Sequence, residues 1–182
     1  MHGVVHRELK EFVDDRMDDG AWEQIREDAG IEPKLYLPVS HYPDAEFTAL
    51  VDAIADRSGH DRRTILENFG RFLAPELLGT FRSHVRDGWG VLDLLENLSH
   101  IYDRIGSQDD ETNLPTINCD RVVSDMVVLT YRSGRELCPL GLGIVQGLAA
   151  EYDTTLSIEQ EQCLLEGDER CEFTIERTDS SR

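Results

Sequence analysis

Along the first hundred positions apolar residues recur at three- and four-residue steps, the spacing of helices that bury one face. Leu9, Phe12 and Val13 begin one stripe behind Glu8, and Ala21, Trp22, Ile25 and Ala29 form a second that Gly30 and Pro33 end. Phe47, Leu50, Val51 and Ile54 make a third, closed by Gly59. From Thr64 to Leu78 the stripe is interrupted around Gly70 and Pro75, which predicts one or two short helices. Trp89 to Ile105 reads as the best-defined helix of the chain.

Beyond Ile105 the pattern changes. Residues 106–118 are polar and predict a loop that includes Leu114-Pro115. Arg121 to Val123, the turn Ser124-Asp125 and Met126 to Tyr131 read as a hairpin. Leu137 to Tyr152 is helical again, and Thr154 to Ile158 is a strand. Leu164-Leu165, a Gly167-Asp168 turn and Cys171 to Ile175 finish a second hairpin. Helices first and a helix-carrying antiparallel sheet afterwards predict an α+β fold. A chain of 182 residues suits one such domain better than two.

Charge narrows the range of functions. Asp and Glu number 37 against 18 Lys and Arg, giving a net charge of −19, and Lys10 and Lys34 are the only lysines. Nucleic acid and anionic membranes reward positive patches, so neither is an expected partner. The acidity is spread along the chain, a strongly hydrated surface suited to molar salt, where screening acts within ~3 Å. That, with the scarcity of lysine, points to a halophilic source. No apolar stretch approaches the ~20 residues a bilayer needs. Met1 to Lys10 is amphipathic without a signal-peptide run, so the expected location is the cytoplasm. No Ser/His/Asp or paired-carboxylate arrangement marks an enzyme.

Several residues in order resemble the heme-nitric oxide/oxygen-binding (H-NOX) family. They are Met1-His2-Gly3, Ala21-Trp22-Glu23-Gln24-Ile25, Phe69-Gly70, Leu114-Pro115, Cys119 and, most specific, Tyr131-x-Ser133-x-Arg135. The resemblance implies a single domain over residues 1–182, with a distal helical subdomain (1–62) and a proximal helix-and-sheet subdomain (63–182). It implies heme b as cofactor, with Tyr131, Ser133 and Arg135 binding its propionates. An arginine fork and two hydroxyls are what two carboxylates require. It also implies Pro115 as a heme contact and Val5, Leu9, Leu73, Leu77, Leu140 and Ile144 as the distal lining. Oxygen-binding relatives place a tyrosine where Leu140 stands. Gly141, Gly143 and Gly147 follow no phosphate-loop pattern and predict close helix packing.

The chain departs from that family at the axial ligand. Ungapped register puts Tyr102 where the family's histidine belongs, with His100 as the other candidate. Leu94, Leu98, Ile101, Tyr102 and Ile105 share one helix face, while His100 lies about 200° around from Tyr102. Tyr102 is therefore expected inward and His100 outward. A phenolate is a hard donor that favours ferric iron, so any bound heme is expected ferric and Tyr102-ligated, or else the pocket holds none.

Cys119, Cys138, Cys163 and Cys171 are expected as thiols rather than disulfides in a cytosolic setting. Some relatives hold zinc with three cysteines and a histidine, and Cys138, Cys163 and Cys171 match those cysteines. Gln160 stands at the histidine position. Three thiolates with a carboxylate or water remain a zinc option, beside free structural or redox thiols. The leading functional reading is a heme-based sensor of nitric oxide, another diatomic gas or redox state. A chain this short predicts a separate signalling partner protein. The alternatives are a heme-free small-molecule-binding module, which the resemblance of Cys163 to Phe173 to vinyl-reductase-type ligand-binding domains supports, and a zinc/thiol redox sensor.

Overall fold

The computed structural model describes residues 1–106 and 115–178, with the side chains at positions 105 and 106 outside that description. The expected polar loop, including Leu114, lies largely in the segment that is not described.

Four helices come first: α1 (Gly3–Arg16), α2 (Ala21–Asp28), α3 (Asp44–Ser58) and α4 (Arg62–Thr80). Two of their ends have a plain local cause. Gly59 closes α3 in the left-handed conformation, and Asp61 caps α4 by accepting from the Thr64 N–H at 2.9 Å. The stripes read from the sequence become one cluster, with Leu9, Phe12, Val13, Ile25, Leu50 and Phe69 all buried in it.

The expected interruptions at Gly70 and Pro75 do not occur; α4 runs through both. Pro75 has no N–H for the Arg71 carbonyl, but that carbonyl lies against α7 (Cys138–Glu151) at Gly147. A Cβ on Gly70 would meet the Leu140 carbonyl oxygen at 2.4 Å, and one on Gly143 the Glu67 carbonyl oxygen at 2.1 Å. The two backbones therefore touch along a glycine seam, and tertiary packing overrides local propensity. Gly141, expected in the same role, faces open space.

The single helix expected over Trp89–Ile105 is divided into α5 (Val91–Glu96) and α6 (Leu98–Gly106). Asn97 separates them with its side-chain amide bonded back to the Asp93 carbonyl at 2.9 Å, a local alternative to continuing the helix.

The sheet is fully antiparallel in the order β1-β2-β4-β3, built from β1 (Thr116–Val123), β2 (Met126–Arg132), β3 (Leu156–Gln162) and β4 (Cys171–Arg177). β1 starts earlier than the polar sequence suggested, because Thr116 pairs with Arg132. Alternate residues Val127, Leu129 and Tyr131 of β2 and Cys171, Phe173 and Ile175 of β4 are buried on one face. They join Leu94, Leu95, Ile101, Val145 and Leu148 in a second cluster. Helical half and sheet half meet where Ile144 packs against both clusters. α4 serves both as well, through Ile65, Leu66, Phe69 and Leu73 on one side and Ala74 on the other. Among the described residues no helix is long and apolar enough to cross a membrane.

Candidate ligand site between the two cores

β2 ends at Arg132, and a tight turn follows before α7. The Glu136 N–H closes it on the Ser133 carbonyl at 3.3 Å. Glu136 takes a φ of 52°, a conformation that costs a non-glycine residue ~1 kcal/mol or more. That turn carries Tyr131, Ser133 and Arg135 to one place. The buried Tyr131 hydroxyl lies within reach of Ser133 and of the Leu137 N–H; burial nonetheless dominates and pushes its pKa up. Ser133 Oγ accepts from the Arg135 N–H at 3.2 Å.

Arg135 already holds a carboxylate. Its Nε donates to Asp44 Oδ2 at 2.6 Å, while the other Asp44 oxygen accepts from the Met1 ammonium at 2.6 Å. Burial raises the Asp44 pKa, but the ammonium and guanidinium outweigh it and hold the group below the usual carboxylate range. Beside this pair lies a cavity of about 200 Å³, lined in part by Met1, Asp44, Phe47 and Leu137. The sequence reading missed Asp44. Its only local signal was an acid in the first turn of a helix, which dipole stabilisation alone explains.

α6 turns Ile101 into the core and leaves His100 exposed. Tyr102 is half-buried, with its phenol pushed to about 12 by burial and by the neighbouring Tyr131. Tyr131 is thus near enough to Tyr102 to bear on its charge, whereas His100 is exposed. Of the residues expected to line the distal side, Leu9, Leu73 and Leu140 are buried in the helical core, while Val5, Leu77 and Ile144 are partly buried against the same cluster. Pro115 is partly buried just ahead of β1. A guanidinium and two hydroxyls at this turn suit a ligand bearing carboxylates.

The haem-NO-binding family model matches residues 2–160. The chain belongs to that family. Solved family structures agree in fold. An H-NOX protein from S. oneidensis in the Fe(II)NO state superposes with a TM-score of 0.91 at 22% identity, covering 98% of this chain and 100% of that one. The Fe(II) unliganded H-NOX protein from K. algicida gives 0.88 at 16% identity, covering 100% and 99%. A mutant H-NOX from T. tengcongensis gives 0.85 at 18% identity, with full coverage of both chains. No curated protein matches the chain.

The remaining expected residues form a separate group. Cys138, Cys163 and Cys171 are buried with their sulfur atoms all within 4.8 Å of one another. Gln160, at the expected fourth position, instead accepts from Arg63 at 3.2 Å and donates to the Gln162 carbonyl at 3.2 Å. Cys119 is buried on β1 opposite Leu129, apart from that trio.

Proposed function

We propose that this chain binds heme b at the seam between its helical half and its sheet, as a sensor of nitric oxide or redox state that signals to a separate partner protein. The observation that carries the reading is the closeness of Tyr131 at the end of β2 to Ser133 and Arg135 on the turn after it, with Tyr131 near enough to Tyr102 to bear on its charge. An iron porphyrin supplies redox chemistry and a coordination position for a diatomic gas.

The chain's own residues do the rest. Arginine carries five N–H donors; Asp44 engages Nε of Arg135, and the outer fork suits a propionate. Tyr131 and Ser133 supply hydroxyls to the same group. Leu9, Leu73 and Leu140 exclude water on the distal side. Leu140 offers no hydrogen bond to a bound gas, which weighs against oxygen and favours nitric oxide.

Tyr102 would be the residue that holds the iron. Its phenol keeps its proton at neutral pH, so it would have to give up that proton to do so, which a ferric centre would favour over a ferrous one. For His100 to replace it, α6 must rotate by over half a turn and expose Ile101. Burial of one such side chain is worth about 1.5–3 kcal/mol. A heme-free small-molecule module of the same fold is the second reading, favoured by the exposure of His100.

Electron paramagnetic and resonance Raman spectra after reconstitution with hemin test the proposal. Wild type and His100→Ala should share a ferric phenolate signature that Tyr102→Phe loses. An imidazole signal abolished by His100→Ala would overturn the axial assignment. Absence of any specific hemin spectrum would leave the heme-free reading.

A further inference from the structure

Cys138 opens α7, Cys163 follows β3 and Cys171 opens β4, so three elements each deliver one sulfur. Cys138 Sγ and Cys163 Sγ stand 3.9 Å apart, and the three residues are 3%, 2% and 0% exposed. Sulfurs sharing one ion at ~2.3 Å lie roughly 3.8–4.0 Å from each other. The observed separation matches that spacing and far exceeds the ~2.05 Å of a disulfide. The backbone around the sulfurs is fixed. The Cys163 N–H donates to Asp168 Oδ2 at 2.7 Å, and the Leu164 N–H donates to Cys171 Sγ at 3.3 Å. That second contact favours charge on sulfur.

A fourth donor is the missing part. Among the described residues no imidazole or carboxylate oxygen joins the three sulfurs. The Asp168 carboxylate is engaged by Cys163 N–H, and Gln160 by Arg63 and Gln162. Protein zinc sites want four donors, whereas soft thiolates also select copper(I). The Arg63 guanidinium lies near Cys163 and Cys138, where it offsets part of the negative charge that bound thiolates carry.

We infer that Cys138, Cys163 and Cys171 form a three-sulfur site for copper(I), with no fourth protein donor. Binding exchanges three S–H protons for one ion and transfers no electron, since copper arrives already reduced. The inference stands apart from the heme reading.

The test loads the reduced full chain, without oxygen and without hemin, with copper(I) from a chelator complex or with zinc sulfate. One copper per chain is expected, with X-ray absorption showing three sulfur neighbours and no nitrogen or oxygen. Gln160→His, a change at a partly exposed position, should raise zinc affinity at least roughly tenfold by supplying the fourth donor. Copper(I) affinity should stay within about threefold, because copper uses only the sulfurs. A two-sulfur copper shell would overturn the assignment. So would tight wild-type zinc whose oxygen neighbour disappears in Asp168→Asn, a failure of Gln160→His to separate the two metals, or a fully reduced chain that takes up neither.

Discussion

Arg135 and Asp44, 91 positions apart, meet Nε to Oδ2 at 2.6 Å and tie the turn after β2 to the first turn of α3. The Met1 ammonium shares that carboxylate, so one acid joins the chain start, the helical half and the sheet half.

Replacing Arg135 by Ala removes both this tie and the only formal positive charge of the proposed carboxylate clamp. Hemin titration should show weaker binding in Arg135→Ala than in any single hydroxyl variant of the clamp. Asp44→Asn should cost about 1 kcal/mol in urea unfolding at neutral pH, a modest value because the acid is partly exposed. The Asp44 pKa is depressed in the folded state, so its contribution is full above the unfolded pKa and is lost as pH falls through the lower folded value. Wild type and Asp44→Asn should converge in stability only in strong acid.

His6 is wholly buried, stacked on Tyr36 at 4.5 Å, and burial lowers its pKa to about 4, with the Met1 ammonium adding to the effect. The unfolded chain therefore binds more protons than the folded one between ~6.5 and about 4. Stability from the neutral ring is complete above that window and declines as pH falls through it. Urea midpoints of wild type should drop across this range more steeply than those of His6→Phe. Parallel slopes in the two proteins would exclude His6 as the titrating group.

The glycine seam makes a paired prediction within one helix. Gly143→Ala sets a methyl at 2.1 Å from the Glu67 carbonyl oxygen, so α7 must shift from α4. A loss of about 1–3 kcal/mol is expected from overpacking. Gly141→Ala meets nothing within 4 Å and should stabilise by about 0.5–1 kcal/mol through lower backbone entropy. Thermal unfolding of the two variants beside wild type measures both.

A net charge of −19 on 182 residues should make the fold salt-dependent. The melting temperature should rise between low and molar potassium chloride as repulsion is screened. A flat or falling curve would refute the expectation of a surface adapted to salt.

The sequence by itself determined which face of each early helix is buried. Leu9, Phe12, Ile25 and Leu50 recur with the helical period, and nothing else in their neighbourhood competes for the core. The same periodicity set Ile101 inward and His100 outward on α6. The apolar run from Met126 to Tyr131 marked a strand, which the structure gives as β2. Local chemistry was enough in each case, because the signal lies within one or two turns of chain.

Tertiary structure decided what local chemistry left open. Gly70 and Pro75 read as breaks until α7 arrives to meet the exposed α4 backbone. Asn97 falls inside the single helix that the sequence predicts, yet its amide divides that helix. Asp44 and Arg135 carry no mutual signal in the sequence, and only the folding of one half against the other brings them together. The meeting of Cys138, Cys163 and Cys171 was implied by the family resemblance; the placement of Gln160 against Arg63 was not. A partner 97 positions away takes the amide that a fourth metal donor would need. Hydrogen bonds over such separations are chosen by geometry, and geometry exists only once the chain has folded.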